Sequence, residues 1–215
     1  MATNSTRNRT TAGGKPPVKR SASKRSTNRN GAGYDTVVKA AAESLLGYMI
    51  MLARRDEASV LHESTLYEPF HLTVLSRGYK LFHEVRVKKV DGKNGDKKRV
   101  DYAIYERDVP NQAALVEMKI MATNLIGKES SLTQSKVKDD IPKLLSKKCY
   151  FDLVGKDKND GVDVGERYLI LCNCSNDFAI WKTISKTVPI KRIAKYEYRK
   201  SESHIYKNVL VYRLG

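Results

Sequence analysis

The sequence predicts an α/β fold in which a mixed central sheet is flanked by helices. Its helix-like and strand-like patterns follow one another in the order helix, three strands, helix, strand, which is typical of such folds. One strand pattern, residues 113–121, is apolar almost throughout, as expected of a central strand covered on both faces. A length of 215 residues suits one well-buried domain with extensions better than two full domains.

The chain begins with a basic segment that lacks apolar side chains for a core. Residues 1–33 are rich in Ser, Thr, Asn and Gly, and eight basic residues precede the first acidic residue, Asp35. Such a composition cannot offset the entropy lost on ordering, and we therefore predict a disordered basic tail before a single domain, residues 34–215. Two roles stay open for the tail: an arm that binds DNA or RNA by releasing counterions, and a segment that only improves solubility.

Two helices are expected at the start of the domain. Residues 34–55 repeat apolar side chains at a helical period, with Asp35 as a candidate N-cap. Residues 63–76 show the same period, Gly78 is suited to stop this second helix, and Pro69 predicts a kink within it.

Three strand patterns follow the helices. Residues 79–90 and 99–106 alternate in polarity and are rich in Val, Tyr and Ile, and the segment DGKNGDKK between them carries strong turn signals. These two strands should form a hairpin. A polar turn containing Pro110 and Asn111 then leads into the buried strand at residues 113–121.

The second half of the chain adds to the sheet. We expect a helix over residues 134–148, a buried strand over 166–175, a short helix around 178–184, and final strands over 196–200 and 208–214.

Three ionisable groups stand in the strands where apolar residues are expected: Asp101, Glu117 and Lys119. Because side chains alternate along a strand, Glu117 and Lys119 should share one face and Met118 the other. A buried charge needs a partner, a metal or an opening to water. If residues 99–106 pair with residues 113–121, Asp101 lies beside Glu117, and a divalent cation would relieve the repulsion between the two carboxylates.

Composition narrows the classes of partner and compartment. A net charge of +16 predicts a polyanionic partner, of which nucleic acid is the commonest. Three cysteines are too few and too unevenly spaced for a disulfide framework, which favours a reducing, intracellular setting. We found no apolar run near the roughly 20 residues that span a bilayer and no secretory signal, and we therefore expect a cytoplasmic or nucleic-acid-associated protein without a membrane partner.

The pattern of Asp101, a variable gap and the triplet Glu117-Met118-Lys119 resembles the core motif of the PD-(D/E)XK nuclease superfamily. The order of elements over residues 61–175 is also similar to the αβββαβ core of that superfamily. The resemblance implies a restriction endonuclease-like fold, here with an N-terminal helix and C-terminal strands as extensions.

Roles for individual residues follow from the resemblance. It implies that Asp101 and Glu117 bind Mg²⁺ or Mn²⁺, with the main-chain carbonyl of Met118 as a further ligand. Lys119 would position or deprotonate the attacking water. An additional glutamate often comes from the preceding helix of these enzymes, and Glu63 is the first candidate for it.

Several weaker candidates surround this motif. Glu68 and Glu84 are alternatives to Glu63, and Gln134 or Lys138 would be the polar residue that the following helix brings near the site. One departure from the family pattern reduces its specificity, since Val100 stands where the proline of the motif would precede the aspartate.

A cluster of lysines marks the first predicted hairpin: Lys88, Lys89, Lys93, Lys97 and Lys98. Two interpretations stay open, a loop that grips phosphates and a solvated edge that discourages strand pairing with other chains.

Three functions are consistent with these patterns. The leading hypothesis is a Mg²⁺- or Mn²⁺-dependent nuclease that hydrolyses phosphodiester bonds, with DNA favoured over RNA and with a homodimer allowed. The alternative is a non-catalytic nucleic-acid-binding module on a degenerate nuclease fold. A third interpretation is a structural or interaction protein that uses the acidic pair, Asp101 and Glu117, only as part of an ion-pair network.

Overall fold

A computed structural model describes most of the chain after its N-terminal segment. The described residues are 32–55, 62–87, 98–106, 112–121, 131–150, 161–174, 182, 184–186, 188–200 and 205–215. Several predicted segments lie outside these ranges: residues 1–31 of the predicted tail, the lysine-rich turn at 88–97, the turn with Pro110 and Asn111, and most of the helix expected around 178–184. The last two residues of the predicted tail, 32 and 33, are helical and belong to the first helix.

One seven-stranded sheet organises the described residues. Its strands are β1 (Tyr79–Val87), β2 (Lys98–Glu106), β3 (Gln112–Ile120), β4 (Lys148–Tyr150), β5 (Val162–Cys172), β6 (Ile190–Lys200) and β7 (Ile205–Leu214). The strands β1, β2 and β3 form an antiparallel meander, and β5 lies parallel to β3 over its whole length. β7 and then β6 extend the sheet beyond β5 in antiparallel pairs, which leaves β6 at the edge.

Two helices cover one face of the sheet. α1 (Ala32–Arg54) and α2 (Tyr67–Ser76), with a short 3-10 helix at Glu63–Leu66 before α2, pack apolar side chains against it. Tyr102, Val116 and Met118 belong to the cluster that these helices cover. The alternation of β3 therefore turns Met118 toward α1 and α2.

The third helix covers the opposite face. α3 (Ser131–Leu144) buries Val137 and Ile141 in a second cluster that includes Ala103 and Leu115 of the sheet. α3 follows β3 and precedes β5, and it thus belongs to the crossover that a parallel strand pair requires. Because both faces are covered, β3 is buried, as its apolar sequence predicted.

The structure confirms the α/β class, the mixed sheet and the hairpin of β1 and β2. Gly78 ends α2 as expected, since its φ of 83° suits glycine and its N–H donates to the carbonyl of Leu75. β5, β6 and β7 each begin earlier than the sequence predicted.

Two local predictions are wrong. Asp35 is not an N-cap, because α1 already begins at Ala32, and its carboxylate instead accepts a hydrogen bond of 2.7 Å from the hydroxyl of Tyr168. The helix expected over residues 134–148 ends at Leu144, and the short strand β4 follows at Lys148. β4 pairs with both β1 and β5, and these pairings supply hydrogen-bond partners for its backbone. A three-residue strand held by distant segments shows no periodic pattern in the sequence.

One described helix is long and apolar enough to cross a bilayer by length and composition alone. It is the segment Gly33–Arg54 of α1, and half of its apolar window is buried inside the protein. Val38, Ala41 and Leu45 are fully buried in the cluster that covers the sheet. α1 is therefore a core helix in this structure, and core helices share this length and composition with membrane spans.

Candidate active site

The candidate site lies where β2 and β3 separate. Their backbone pairing runs from Ile104 opposite Ala114 to Tyr102 opposite Val116 and ends there. Beyond this point β2 stays paired with β1, while β3 stays paired with β5 as far as Ile120. A fork therefore opens in the sheet, and Asp101 and Glu117 are the first residues inside it.

The two carboxylates take over the hydrogen bonds that the separated strands lose. The backbone N–H of Asp101 donates to Oε2 of Glu117 at 3.3 Å, and the N–H of Met118 donates to Oδ2 of Asp101 at 2.7 Å. Each carboxylate thus accepts from the backbone of the opposite strand. Buried N–H groups need such partners, and carboxylates at the mouth of the fork supply them.

β1 carries an unusual conformation beside the fork. Glu84 has a φ of 54°, and it falls between the pairs His83 with Tyr102 and Val85 with Val100, opposite Asp101. A left-handed conformation costs a non-glycine residue about 1 kcal/mol or more, and such strain concentrates at functional sites. The backbone of β1 is therefore distorted at the same level of the sheet at which β2 leaves β3.

Lys119 joins groups from three elements at the fork. Its Nζ lies 3.1 Å from Oε1 of Glu117, on the same face of β3 as predicted. The same atom lies 3.4 Å from Oε1 of Glu63 and 3.4 Å from Oδ2 of Asp140 on α3. Glu63 belongs to the 3-10 helix that packs with α2, and Asp140 belongs to α3. A single ammonium group therefore links helices that cover opposite faces of the sheet.

A second lysine completes the cluster from α3. Nζ of Lys143 lies 3.7 Å from Oε1 of Glu117 and makes a close ion pair with Asp140, one turn earlier on the helix. The cluster thus holds four carboxylates and two ammonium groups: Asp101, Glu117, Glu63 and Asp140 with Lys119 and Lys143. If all six groups are ionised, four negative and two positive charges leave a net charge of −2.

Burial makes this excess of negative charge costly. Glu117 is 1% exposed and Asp101 is 8% exposed. Burial, followed by the charge of Asp101, raises the pKa of Glu117 from its ordinary 4.5 to about 8, although Lys119 lowers it. Burial likewise raises the pKa of Asp101 from 3.8 to about 6, against the opposing effects of Lys119 and the Met118 N–H. In the absence of a cation, the pair therefore tends to keep a proton near neutral pH.

The pKa of Lys119 is also raised, but for a lysine this shift favours the charged form. Burial alone would lower its pKa, but Glu117, Asp101, Glu63 and Asp140 together raise it above the ordinary 10.5 of lysine. The side chain therefore stays protonated. A protonated ammonium can donate hydrogen bonds and stabilise negative charge, and it cannot accept a proton from water.

The sequence-predicted residues divide into those that the structure brings together and those that it does not. Asp101, Glu117, Lys119 and Glu63 converge in one cluster. Of Met118, the structure shows an N–H bonded to Asp101, and the role of its carbonyl as a ligand stays a prediction.

The alternatives to Glu63 lie at exposed positions outside the cluster. Glu68 is exposed on α2, and Glu84 is exposed and pairs with Arg99 at 3.6 Å. Lys98 begins β2 and is partly exposed, whereas Lys88, Lys89, Lys93 and Lys97 lie outside the described residues. The proposed grip of these lysines on phosphate stays a prediction.

Sequence reasoning missed the two residues that α3 contributes. Lys138 is exposed, and the side chain of Gln134 lies outside the described part of the chain, whereas Asp140 and Lys143 contact the cluster. One feature of the sequence could have indicated them. Asp140 follows the buried Val137 by three residues, and this spacing places the aspartate next to the apolar stripe of the helix.

Among the described residues, no group of three or more His, Cys, Asp or Glu side chains is arranged so that it could hold a metal ion, and this holds for the cluster at the fork as well. Within that cluster, the ammonium group of Lys119 lies between the carboxylates of Glu63 and Glu117. Cys149, Cys172 and Cys174 are free thiols buried in the core. Burial raises the pKa of the Cys149 thiol to about 12, which favours apolar packing over reactivity.

Comparison with known proteins does not assign the chain to a family. The chain matches no family model, no curated protein and no solved structure. The interpretation of the site therefore depends on its geometry and charge.

Proposed function

We propose that this protein is a metal-dependent nuclease of the PD-(D/E)XK kind, which hydrolyses phosphodiester bonds in DNA in preference to RNA. The observation that carries the proposal is the buried cluster at the fork, whose six groups sum to a net charge of −2 when all of them are ionised. A divalent cation would balance this charge fully, and hard oxygen donors are the ligands that Mg²⁺ and Mn²⁺ prefer.

The donor set fits such a cation in its chemistry. Asp101 and Glu117 would hold it, with Glu63 or Asp140 as a further carboxylate. Bound there, Mg²⁺ or Mn²⁺ would supply Lewis acidity toward a phosphate oxygen and would lower the pKa of a bound water. The raised pKa values of Asp101 and Glu117 support this assignment, since burial makes the ionised carboxylates costly and a bound cation would offset that cost.

Lys119 has a defined task in this proposal. Because its pKa is raised, it stays protonated and donates hydrogen bonds to the attacking water and to the negative charge that develops on the phosphate. The alternative that Lys119 removes the proton from water is disfavoured by the same shift. Lys143 orients Glu117 and Asp140 through its two ion pairs.

The arrangement of elements is consistent with the proposed family. A helix, the antiparallel meander of β1, β2 and β3, the crossover helix α3 and the parallel strand β5 follow the order αβββαβ. The carboxylates stand at the point where β2 and β3 separate, and Lys119 follows two residues after Glu117 on the same face.

The test is cleavage of a panel of labelled substrates. Single-stranded, double-stranded and branched DNA, and RNA, are incubated with the full-length protein in Mg²⁺, in Mn²⁺ or in EDTA. We expect metal-dependent cleavage that Asp101→Asn and Lys119→Met abolish. Glu68→Gln is the matched control, because it removes an exposed acid from α2 near Glu63 and should cleave like the wild type. Cleavage that survives Asp101→Asn, or no cleavage of any substrate, would contradict the proposal.

A second candidate is a non-catalytic nucleic-acid-binding protein on the same framework. The observation in its favour is that Lys119 lies within 3.4 Å of three carboxylates and therefore stands where a cation would be expected. This candidate predicts tight, salt-sensitive binding that persists in Asp101→Asn and Glu117→Gln, without turnover in either metal.

A further inference from the structure

The edge strand β6 carries a row of basic side chains on one face. A bulge between Arg192 and Ala194 places Ile193 outside the regular pairing with β7. Without the bulge, Arg192 and Lys195 would point to opposite faces, because they are three residues apart. With it, Arg192 pairs with Tyr212 and Lys195 pairs with Leu210, two residues of the same apolar cluster. Both basic side chains therefore point to the same face of the sheet as the one on which α3 packs against β2 and β3.

The row continues along the strand. Arg199 lies four residues after Lys195 and faces the same side, and Arg192, Lys195 and Arg199 are all exposed. We call these three residues the β6 basic row. Glu197 stands within it, and its carboxylate lies 2.8 Å from Nζ of Lys195. The formal charges of these four side chains sum to +2.

The strand register connects the row to the candidate active site. Lys119 lies beside Leu171 of β5, Leu171 beside Leu210 of β7, and Leu210 beside Lys195. Lys119 and Lys195 are thus members of one line across the sheet on one face. Three strand spacings separate them, a distance of about 14 Å.

A parallel line joins Glu117 to the row. It runs through Leu169 and Tyr212 to Arg192. The strand directions also agree, because β6 runs parallel to β3 through the intervening β7 and β5. The row therefore approaches the end of the sheet at which the fork opens.

From this alignment we infer that the β6 basic row binds the phosphate backbone of the nucleic acid whose scissile phosphate lies at the fork. The inference rests on the proposed function for the position of that phosphate. A DNA duplex presents a phosphate about every 1.7 Å along its axis, so a backbone that passes the fork offers phosphates about 14 Å away. Lys182 and Lys186, exposed near Ile184, whose side chain packs in the same apolar cluster, add positive charge to that side of the sheet.

Binding is measured with the full chain carrying Asp101→Asn, in EDTA, so that no turnover interferes. Fluorescently labelled duplex and single-stranded DNA are titrated over a range of salt concentrations. The double variant Arg192→Gln with Lys195→Gln should raise the Kd tenfold or more. It should also reduce the slope of log K against log salt by about 1.8, which is about 0.9 for each phosphate that the protein no longer neutralises. Glu197→Gln should lower the Kd, because it removes the acid from the row.

The matched control removes the same charge from the other face of the sheet. Lys191→Gln with Lys39→Gln alters a neighbouring residue of β6 that faces away from the row and a residue of α1. This control should change the Kd by less than about threefold, since distant charges are screened. Equal losses in the two double variants, or an unchanged salt slope in the row variant, would overturn the inference.

Two further measurements keep the result interpretable. If the row variant unfolds in a thermal melt, two single variants replace it. Arg199→Gln should bind DNA more weakly than the parent protein, whereas the charge-preserving Lys195→Arg should bind it equally well. Binding to anionic vesicles that exceeds binding to DNA would also overturn the inference. Failure of the nuclease proposal has a different signature: wild-type protein would bind DNA through the row and cleave none of it.

Discussion

At the scale of single residues, the two fork carboxylates determine how stability depends on pH. Their pKa values are raised in the folded protein, Glu117 to about 8 and Asp101 to about 6. Between the ordinary and the raised values, the folded state binds more protons than the unfolded state, and the free energy of unfolding falls as pH rises. We therefore expect the Tm of the metal-free protein to decrease steadily from about pH 4.5 to about pH 8.

The variant Glu117→Gln should remove most of this dependence. Its amide oxygen can still accept the hydrogen bond from the Asp101 N–H, and it carries no charge to bury. We expect a Tm above that of the wild type at pH 8 in EDTA, by an amount equivalent to a few kcal/mol, and little difference at pH 4.5. Thermal melts across this pH range provide the measurement. A wild-type Tm that rises between pH 5 and pH 8 would contradict the direction of the two pKa shifts.

At the scale of elements, the kink of β1 beside the fork has a measurable cost. Glu84 adopts a left-handed conformation within a strand, where glycine is normally less stable than alanine. Here the order should reverse: Glu84→Gly should be more stable than Glu84→Ala by about 1 kcal/mol, because only glycine is free of the steric penalty. Both variants lose the exposed ion pair with Arg99, which cancels from the comparison.

Urea unfolding of the two variants measures this difference. Arg86→Gly and Arg86→Ala form the control pair two residues along β1, where the strand pairs regularly with β2. The alanine variant should be the more stable there. If the alanine variant is more stable than the glycine variant at both positions, the backbone at Glu84 is not strained.

Some elements of the fold and of the candidate site can be predicted from the sequence, and others cannot. The hairpin, the buried β3 and the pairing of Asp101 with Glu117 follow from local period and alternation, and the sequence therefore predicted them. The sequence did not predict the roles of Asp140 and Lys143. Both lie at the border of the buried stripe of α3, and the angle at which this helix packs on the sheet determines which side chains they contact. β4 spans three residues, and the bulge at Ile193 interrupts a strand of mixed polarity. Neither feature leaves a periodic signal, since both are set by the pairing of distant segments.

At the scale of the whole molecule, the proposed metal site would couple cation binding to folding. A ligand that binds only the folded state stabilises it by about 2.7 kcal/mol at a concentration about 100 times its Kd. We therefore expect Mn²⁺ or Mg²⁺ to raise the Tm of the full-length protein in proportion to the logarithm of concentration. The effect should increase from pH 6 to pH 8, because ionised carboxylates bind the cation and protons compete with it.

Matched variants identify the origin of this stabilisation. Asp101→Asn should lose the metal-dependent rise in Tm, whereas Glu68→Gln, which removes an acid from an exposed position of α2, should keep it. KCl at the same ionic strength controls for general screening of charge. An equal rise in the wild type and in Asp101→Asn would assign the effect to other parts of the surface.

The parallel pairing of β3 with β5 has a consequence for the time at which the protein acquires its chemistry. The six charged groups of the cluster come from four segments, at Glu63, Asp101, Glu117 to Lys119, and Asp140 to Lys143. The last of these lies in α3, within the crossover that joins β3 to β5, and α3 packs on the sheet that these strands help to form. Contacts between such distant segments form late, after the cost of closing long loops has been met. If the protein is the nuclease proposed above, a nascent chain would therefore acquire its cation and its cleaving power only on completing its fold, and partly folded copies would leave the polyanions they meet uncut.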